Sequence, residues 1–341
     1  MRKKIKAISL VSGGLDSSLA TKVILDQGID VLAVNFLSPF CLCNKRGGCR
    51  HEAKHLADTL GVELKLISVF DEYLKIVKHP KFGYGRNLNP CIDCRILMLK
   101  KTKEFMKEVG ASFVVTGEVL GQRPMSQHHQ ALKLIEKETG LEGLILRPLS
   151  AKLLEETVPE KKGWVNRDKM LDYCGRSRKP QIALAKQFGL NDYPCPAGGC
   201  LLTDSGFSRR LKDLLEHSKD DNLNLNDIEL LKLGRHFRMG PKNKLIVGRN
   251  EQENNRLLDL AVESDHIFES VDVKGPVAIG RGEFDSSDLF GLASQIVSRY
   301  CDVGPGVPVK IDLSKKGADS SQNKQILSSA INDKFLEKIR L

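Results

Sequence analysis

The stretch Ser12-Gly13-Gly14-Leu15-Asp16-Ser17-Ser18 decides how this chain folds. Ahead of it runs Ile5-Lys6-Ala7-Ile8-Ser9-Leu10-Val11, apolar and of strand length. Behind it, residues 19–25 carry helical spacing and no breaker. Strand, glycine turn and helix together leave backbone N–H groups unpaired at a helix N-terminus. Free donors and the helix dipole both favour an anion there. Gly13 and Gly14 let the backbone approach a phosphate closely. The loop lacks the lysine of a Walker A motif and is too short for one. Val31-Leu32-Ala33-Val34-Asn35-Phe36 reads as the next strand, so the unit is βαβ and the sheet parallel. Ligands of such sheets bind beyond the carboxyl ends of the strands, which sets the loop after Phe36 beside the glycine turn.

The 341 residues suffice for two or three domains. Lysine and arginine number 53 against 43 acidic residues, a net charge of +10, which suits a polyanionic partner. No apolar run reaches the length of a membrane span, and none is followed by a signal-peptide cleavage site. A cytoplasmic protein away from membranes is expected. Nine cysteines in a reducing compartment point to metal or thiol chemistry.

The cysteines cluster. Cys41, Cys43 and Cys49, followed by His51, are either a zinc set or a loop of reduced thiols. Asn89-Pro90-Cys91-Ile92-Asp93-Cys94-Arg95 is a CxxC at a proline-led helix start, where thiol pKa values are depressed. That pattern suits a metal or cluster ligand, or a sulfur nucleophile. Cys195 and Cys200 lie in a Pro- and Gly-rich loop, a place for ligands more than for core. Cys174 and Cys301 stand alone and read as small buried hydrophobes.

Further on, helices are expected over 166–177 and 179–188, and a linker helix over 206–218. Next come a hairpin over 231–239 and 244–248, and a helix over 251–262. Strands over 266–271 and 276–279, a helix over 285–300 and an extended run over 307–311 follow. A polar linker then leads to a last helix over 324–339. The hairpin gathers Arg235, His236, Arg238, Lys242, Lys244 and Arg249 around Phe237, a set suited to phosphates and bases. A solvated charged hairpin is the plainer reading. The domain reading is 1–203 catalytic, 204–226 linker helix, 227–312 RNA-binding, and 313–341 a C-terminal linker and helix.

The string SGGLDS resembles the PP-loop of ATP pyrophosphatases, which split ATP between the α and β phosphates and adenylate a substrate. Thr116-Gly117-Glu118, Leu120-Gly121-Gln122 and Ser126-Gln127, with the run 144–149, resemble the catalytic domain of tRNA 4-thiouridine synthetase, with one extra residue around Pro124-Met125. The NPCxxC segment resembles tRNA 2-thiouridylases, and residues 234–238 with 244–250 resemble the NFACT-type RNA-binding domain. This resemblance implies an α/β fold: a parallel-sheet PP-loop domain with a smaller α+β domain after it.

It further implies tRNA as substrate and ATP with Mg²⁺. Ser12, Gly13, Gly14, Ser17 and Ser18 would hold the leaving pyrophosphate, and Asp16 would bind Mg²⁺ or orient the loop. Asn35, Phe36, Thr116, Gly117 and Gln122 would line the nucleotide. Two sulfur chemistries stay open. Cys94 and Cys200 would act as persulfide carrier and disulfide partner, or Cys91, Cys94 and Cys200 would ligate a 4Fe-4S cluster, with Cys195 the alternative to Cys200. The donor would be sulfide or a persulfide carrier, and a homodimer is allowed. The family's RNA-binding region before the PP-loop and its rhodanese-like domain are not recognisable here. The target base therefore stays open between 4-thiouridine, 2-thiouridine and 2-thiocytidine. A PP-loop ligase or amidotransferase acting on a small molecule is the competing enzyme class, but it needs no CxxC or late cysteine.

Overall fold

A computed structural model describes residues 4–41, 49–190, 193, 199–218, 223–304, 306–318 and 323–341. Cys43, Cys195 and the side chain of Cys49 lie outside these residues. The chain divides into two units, Met1–Asp204 and Ser205–Leu341.

In the first unit β1 (Lys6–Leu10), α1 (Leu15–Leu25), β2 (Asp30–Leu37), α2 (Cys49–Leu60) and β3 (Glu63–Ser68) alternate as the spacing predicts. Then come α3 (Phe70–Lys78), α4 (Cys91–Val109), β4 (Phe113–Thr116), α5 (His129–Thr139) and β5 (Ile145–Leu146). All strand pairs are parallel, in the order β3-β2-β1-β4-β5. β1 pairs on both sides, and its residues alternate between two cores. Ala7 packs with Leu15, Leu19 and Val23 of α1, while Ile8 packs with Ile96 and Leu99 of α4. Burial on both faces is what an apolar strand of a parallel sheet requires. The strand order reverses at β1, so the crevice between the carboxyl ends of β1 and β4 is where a ligand fits. The glycine loop ends β1, and Thr116-Gly117 ends β4.

After β5 come the short α6 (Val158–Lys161) and then α7 (Lys179–Gln187). The helix expected over 166–177 does not form. Only a 3₁₀ turn, Arg167–Lys169, appears there. Beyond it the amides of Leu171 and Tyr173 bond to the carbonyls of Pro148 and Leu149, which holds the chain extended.

The second unit begins with α8 (Ser205–His217) and α9 (Leu225–Leu230). β6 (Arg235–Gly240), β7 (Asn243–Val247), α10 (Glu251–Leu260), β8 (His266–Ser270) and β9 (Ala278–Gly282) follow. α11 (Ser287–Ser298), β10 (Val309–Lys315), β11 (Lys324–Ser328) and α12 (Asp333–Ile339) complete it. Its sheet is antiparallel, in the order β11-β10-β8-β9-β7-β6. Phe237, Phe268, Ile296 and Ile311 form its core. Two expectations change here. Residues 205–217 cluster with the second unit and are not a linker. Residues 324–328 are an edge strand rather than a helix start, because the last helix begins only at the Asn332 cap, whose side chain accepts from the Lys334 amide.

Candidate active site

The glycine loop turns as the sequence requires. Gly13 has φ +74°, and a Cβ there would lie 2.6 Å from the Glu52 Cβ of α2, so only glycine fits. Gly14 is the N-cap of α1 and no side chain caps the first turn. Ser17 and Ser18 donate their hydroxyls to the Gly14 carbonyl at 2.9 and 3.0 Å, and Ser12 Oγ lies 3.3 Å from Ser17 Oγ. These serines shape the loop while the helix-start amides point out of it.

Asp16 is braced from two other segments. Gln122 donates to its Oδ2 at 2.8 Å, and the Arg178 guanidinium lies 3.1 Å from the same oxygen. Its Oδ1 is buried without a hydrogen-bond partner, as are Oε1 of Gln122 and Oδ1 of Asn35. Burial raises the Asp16 carboxyl above its usual range, against the pull of Gln122, Arg178 and Arg123. Asn35 donates its amide to the Val11 carbonyl at 2.7 Å, so it fixes the end of β1. Phe36 packs against the core beside α4.

Gly117 abuts the loop: a Cβ there would lie 2.5 Å from the Ser17 amide nitrogen. Gly117→Ala should therefore part the two loops and lower ATP-dependent turnover by about a hundredfold with little change in fold, read by pyrophosphate release beside circular dichroism. The Thr116 hydroxyl has a partner within the protein. It sits 3.1 Å from Glu118 Oε2. Glu118 is buried between Arg95 Nε and Arg147 Nε, each at 3.0 Å. Burial alone would raise its carboxyl, but Arg95 and Arg147 outweigh that and hold it below the usual range.

Cys91 and Cys94 sit in the first turn of α4, and Cys200 comes back to them through a backbone bridge with Cys41. Cys94 feels the charges of both Cys91 and Cys200, so the three sulfurs share one neighbourhood. Desolvation pushes the Cys94 thiol up to about 12, against the depressed value expected at the helix start, and also raises Cys200. Burial here wins over the helix end. Among the described residues no three Cys, His, Asp or Glu side chains close around a single ion. A cluster asks for a wider set, because each cysteine then binds a different iron. Three free thiols in one neighbourhood fit that group. Cys41 is disulfide-bonded, and Cys43 and the side chain of Cys49, the rest of the zinc set, lie outside the described residues. Cys174 is exposed, not buried, while Cys301 is buried.

Sequence reading missed Arg178, Arg123 and Tyr73. Arg178 lies in the basic run Arg176-Ser177-Arg178-Lys179 before Pro180, which reads only as a helix boundary. Tyr73 gives no signal, as a tyrosine on an apolar helix face is ordinary core.

In the second unit the six basic residues separate. Arg238 and Lys244 stand directly opposite each other on β6 and β7, with Asp213 of α8 between them. Arg238 Nη2 lies 2.6 Å and Lys244 Nζ 3.2 Å from Asp213 Oδ2. His236 is buried and bonds the Leu233 carbonyl at 2.7 Å. Burial pushes the Lys244 ammonium down to about 8 despite Asp213, and pushes the His236 ring well below its usual value. His236 and Lys244 are thus buried in the fold, and the part-buried Arg238 is held by Asp213. Arg235 stacks on the Tyr300 ring at 4.4 Å, while Lys242 and Arg249 pair near the surface with Glu283 and Glu253.

Asp213→Asn should cost about 2 kcal/mol, since it weakens charged hydrogen bonds to two cations, measured by urea unfolding of the full chain. Burial raises the Asp213 carboxyl, but Arg238 and Lys244 outweigh it and the net shift is downward. Its contribution is thus present above about pH 4 and lost on acidification, and the variant should flatten that acid limb.

A nucleotide crevice at the switch point of a parallel sheet, entered by an SGGxDS loop, defines the PP-loop ATP pyrophosphatase class. Residues 3–158 match the family model of the thiamine biosynthesis protein (ThiI), and residues 234–338 match that of the NFACT protein RNA binding domain. The first part of the chain is thus similar to the ThiI family, and the last part to the NFACT RNA binding domain.

Among curated relatives, an uncharacterised protein of Methanocaldococcus jannaschii is 32% identical over 119 residues, 35% of this chain and 42% of its own. A Thermococcus kodakarensis protein named "Probable tRNA sulfurtransferase" is 29% identical over 157 residues, 45% of this chain and 39% of its own. The tRNA-specific 2-thiouridylase of Leptospira biflexa is 29% identical over 130 residues, 34% of each chain. The chain therefore spans well under half the length of these relatives. A solved 4-thiouridine synthetase in complex with RNA and ATP is 28% identical over 43% of this chain and 37% of its own, with a TM-score of 0.35. The U34-tRNA thiolase of Methanococcus maripaludis with its 4Fe-4S cluster is 18% identical over 68% of this chain and 74% of its own, at a TM-score of 0.34.

Proposed function

We propose that this protein is an ATP-dependent tRNA sulfurtransferase that adenylates a uridine carbonyl and replaces its oxygen with sulfur, giving 4-thiouridine. One observation carries this reading: a single loop, 117–127, touches both halves of the site. Gln122 holds Asp16 at the PP-loop, and Ser126 Oγ lies 3.2 Å from Cys91 Sγ. Arg123, between them, exerts its charge on both Asp16 and Cys200.

Oxide is a poor leaving group, so the carbonyl must be activated first. The uridine oxygen attacks the α-phosphorus of ATP and pyrophosphate leaves along the amides of Gly14 to Ser17. Arg178 and Arg123 stand beside that path and offset its charge. Asp16 Oδ1, buried and unpartnered, with Gln122 Oε1 and Asn35 Oδ1, fits a Mg²⁺ ion, which would draw charge from the phosphates. Sulfur then attacks the activated carbon, and AMP departs with the original oxygen. Cys91, Cys94 and Cys200 would hold a 4Fe-4S cluster, which would supply the sulfide for that attack. Three free cysteines serve this better than the two a persulfide route needs.

The second unit would present the tRNA through Arg235, Lys242 and Arg249, and the protein would work in the cytoplasm. Among the described residues no helix is long and apolar enough to cross a membrane. Incubation with unmodified tRNA, ATP, Mg²⁺ and sulfide should release AMP and pyrophosphate only when tRNA is present. Equal release without tRNA would favour a small-molecule PP-loop ligase.

A further inference from the structure

The three sulfurs each meet a buried hydroxyl. The Cys91 thiol donates to Ser126 Oγ at 3.2 Å. The Tyr73 hydroxyl lies beside both Cys94 and Cys200. Ser126 is 1% exposed and Tyr73 2% exposed. Neither comes from the elements that bear the cysteines. Tyr73 is on α3, its ring edge-on to Phe40 at 5.5 Å, and the Phe40 carbonyl accepts from the Leu201 amide next to Cys200. Ser126 lies in the loop that also reaches the PP-loop. So two separate segments each aim one hydroxyl at the sulfurs.

A hydroxyl hydrogen rotates to suit its partner. Beside a thiol, Ser126 accepts; beside a sulfur that has lost its proton to iron, it donates. Tyr73 likewise donates to such a sulfur, which has no proton of its own to give. Hydrogen bonds to cluster sulfurs stabilise the more negative, reduced state and raise the reduction potential.

We infer that Tyr73 and Ser126 are positioning residues whose hydroxyls donate to the sulfurs of Cys94, Cys200 and Cys91 and set the reduction potential of the group they hold. This rests on the cluster reading above. Neither residue needs to touch tRNA or ATP.

The test uses the full chain, reconstituted anaerobically with ferrous iron and sulfide, as wild type, Tyr73→Phe, Ser126→Ala and the double variant. Iron and sulfide content are measured first, then the midpoint potential by reductive titration followed by electron paramagnetic resonance. The expected result is unchanged cluster content with a midpoint more negative in each single variant and lower still in the double. A merely structural role would lower cluster content and leave the potential of the remainder unmoved. Full clusters with wild-type potential in all variants would overturn this inference alone. A wild type that takes up no iron would overturn the cluster reading and this inference with it. Should one variant fail to fold, the other still decides, because they sit on separate segments.

Discussion

Replacing Asp16 by Asn should lower tRNA-dependent pyrophosphate release by about a thousandfold while tRNA binding stays near wild type. Asparagine keeps the shape and still accepts a hydrogen bond, so the brace from Gln122 and Arg178 survives in part. What goes is the negative charge on the buried, unpartnered Oδ1. Were Asp16 only a brace for Arg178, the loss would stay within about tenfold. Steady-state release of pyrophosphate with filter binding of tRNA separates the two. The raised Asp16 carboxyl adds a pH signature. Activity that needs the carboxylate should fall on acidification at a higher pH than an ordinary aspartate would give, and the Asn variant should lack that limb.

Removing the Glu118 carboxylate should destabilise the first unit by about 3–5 kcal/mol, because Arg147 and Arg95 lose their shared counter-charge. Arg147 is 4% exposed, and only Glu136, at 2.5 Å, remains to it. Glu118→Ala should therefore lower the denaturation midpoint sharply. A double change, Glu118→Leu with Arg147→Met, should recover only part of the loss, because Arg95 and Glu136 are then left without their counter-charges. A loss under about 1 kcal/mol for the single change would mean that the pair is screened as a surface pair is. Arg95 follows Cys94 directly, so iron uptake should suffer in Glu118→Ala even where the fold holds.

The PP-loop half was legible because its chemistry is local. Strand, glycine turn and helix follow one another from residue 6 to residue 25, and Gly13 must be glycine for reasons its own backbone sets. The Cys91–Cys94 pair was legible for the same reason. What stayed hidden depends on distant partners. Tyr73 looks like core until α3 is seen beside Cys94. The bond from Thr116 to Glu118 is equally invisible in the sequence. The sequence also does not show that half of the hairpin basics are engaged within the fold. Arg238 and Lys244 alternate as exposed residues would, and nothing near them signals that Asp213, from α8, covers their face. Cys94 was expected to be acidic at a helix start, but the desolvation that overrides the helix end comes from the segments folded over it.

The central claim is that the PP-loop and the three cysteines serve one reaction on tRNA. Its most direct test is nucleoside analysis of bulk tRNA from cells lacking this gene, complemented by the wild type and by Cys200→Ala. Loss of 4-thiouridine, restored by the wild type and not by Cys200→Ala, is the predicted result. Loss of a 2-thiouridine or 2-thiocytidine instead would keep the chemistry and change the base. An unchanged set of thionucleosides in the deletion would contradict the account.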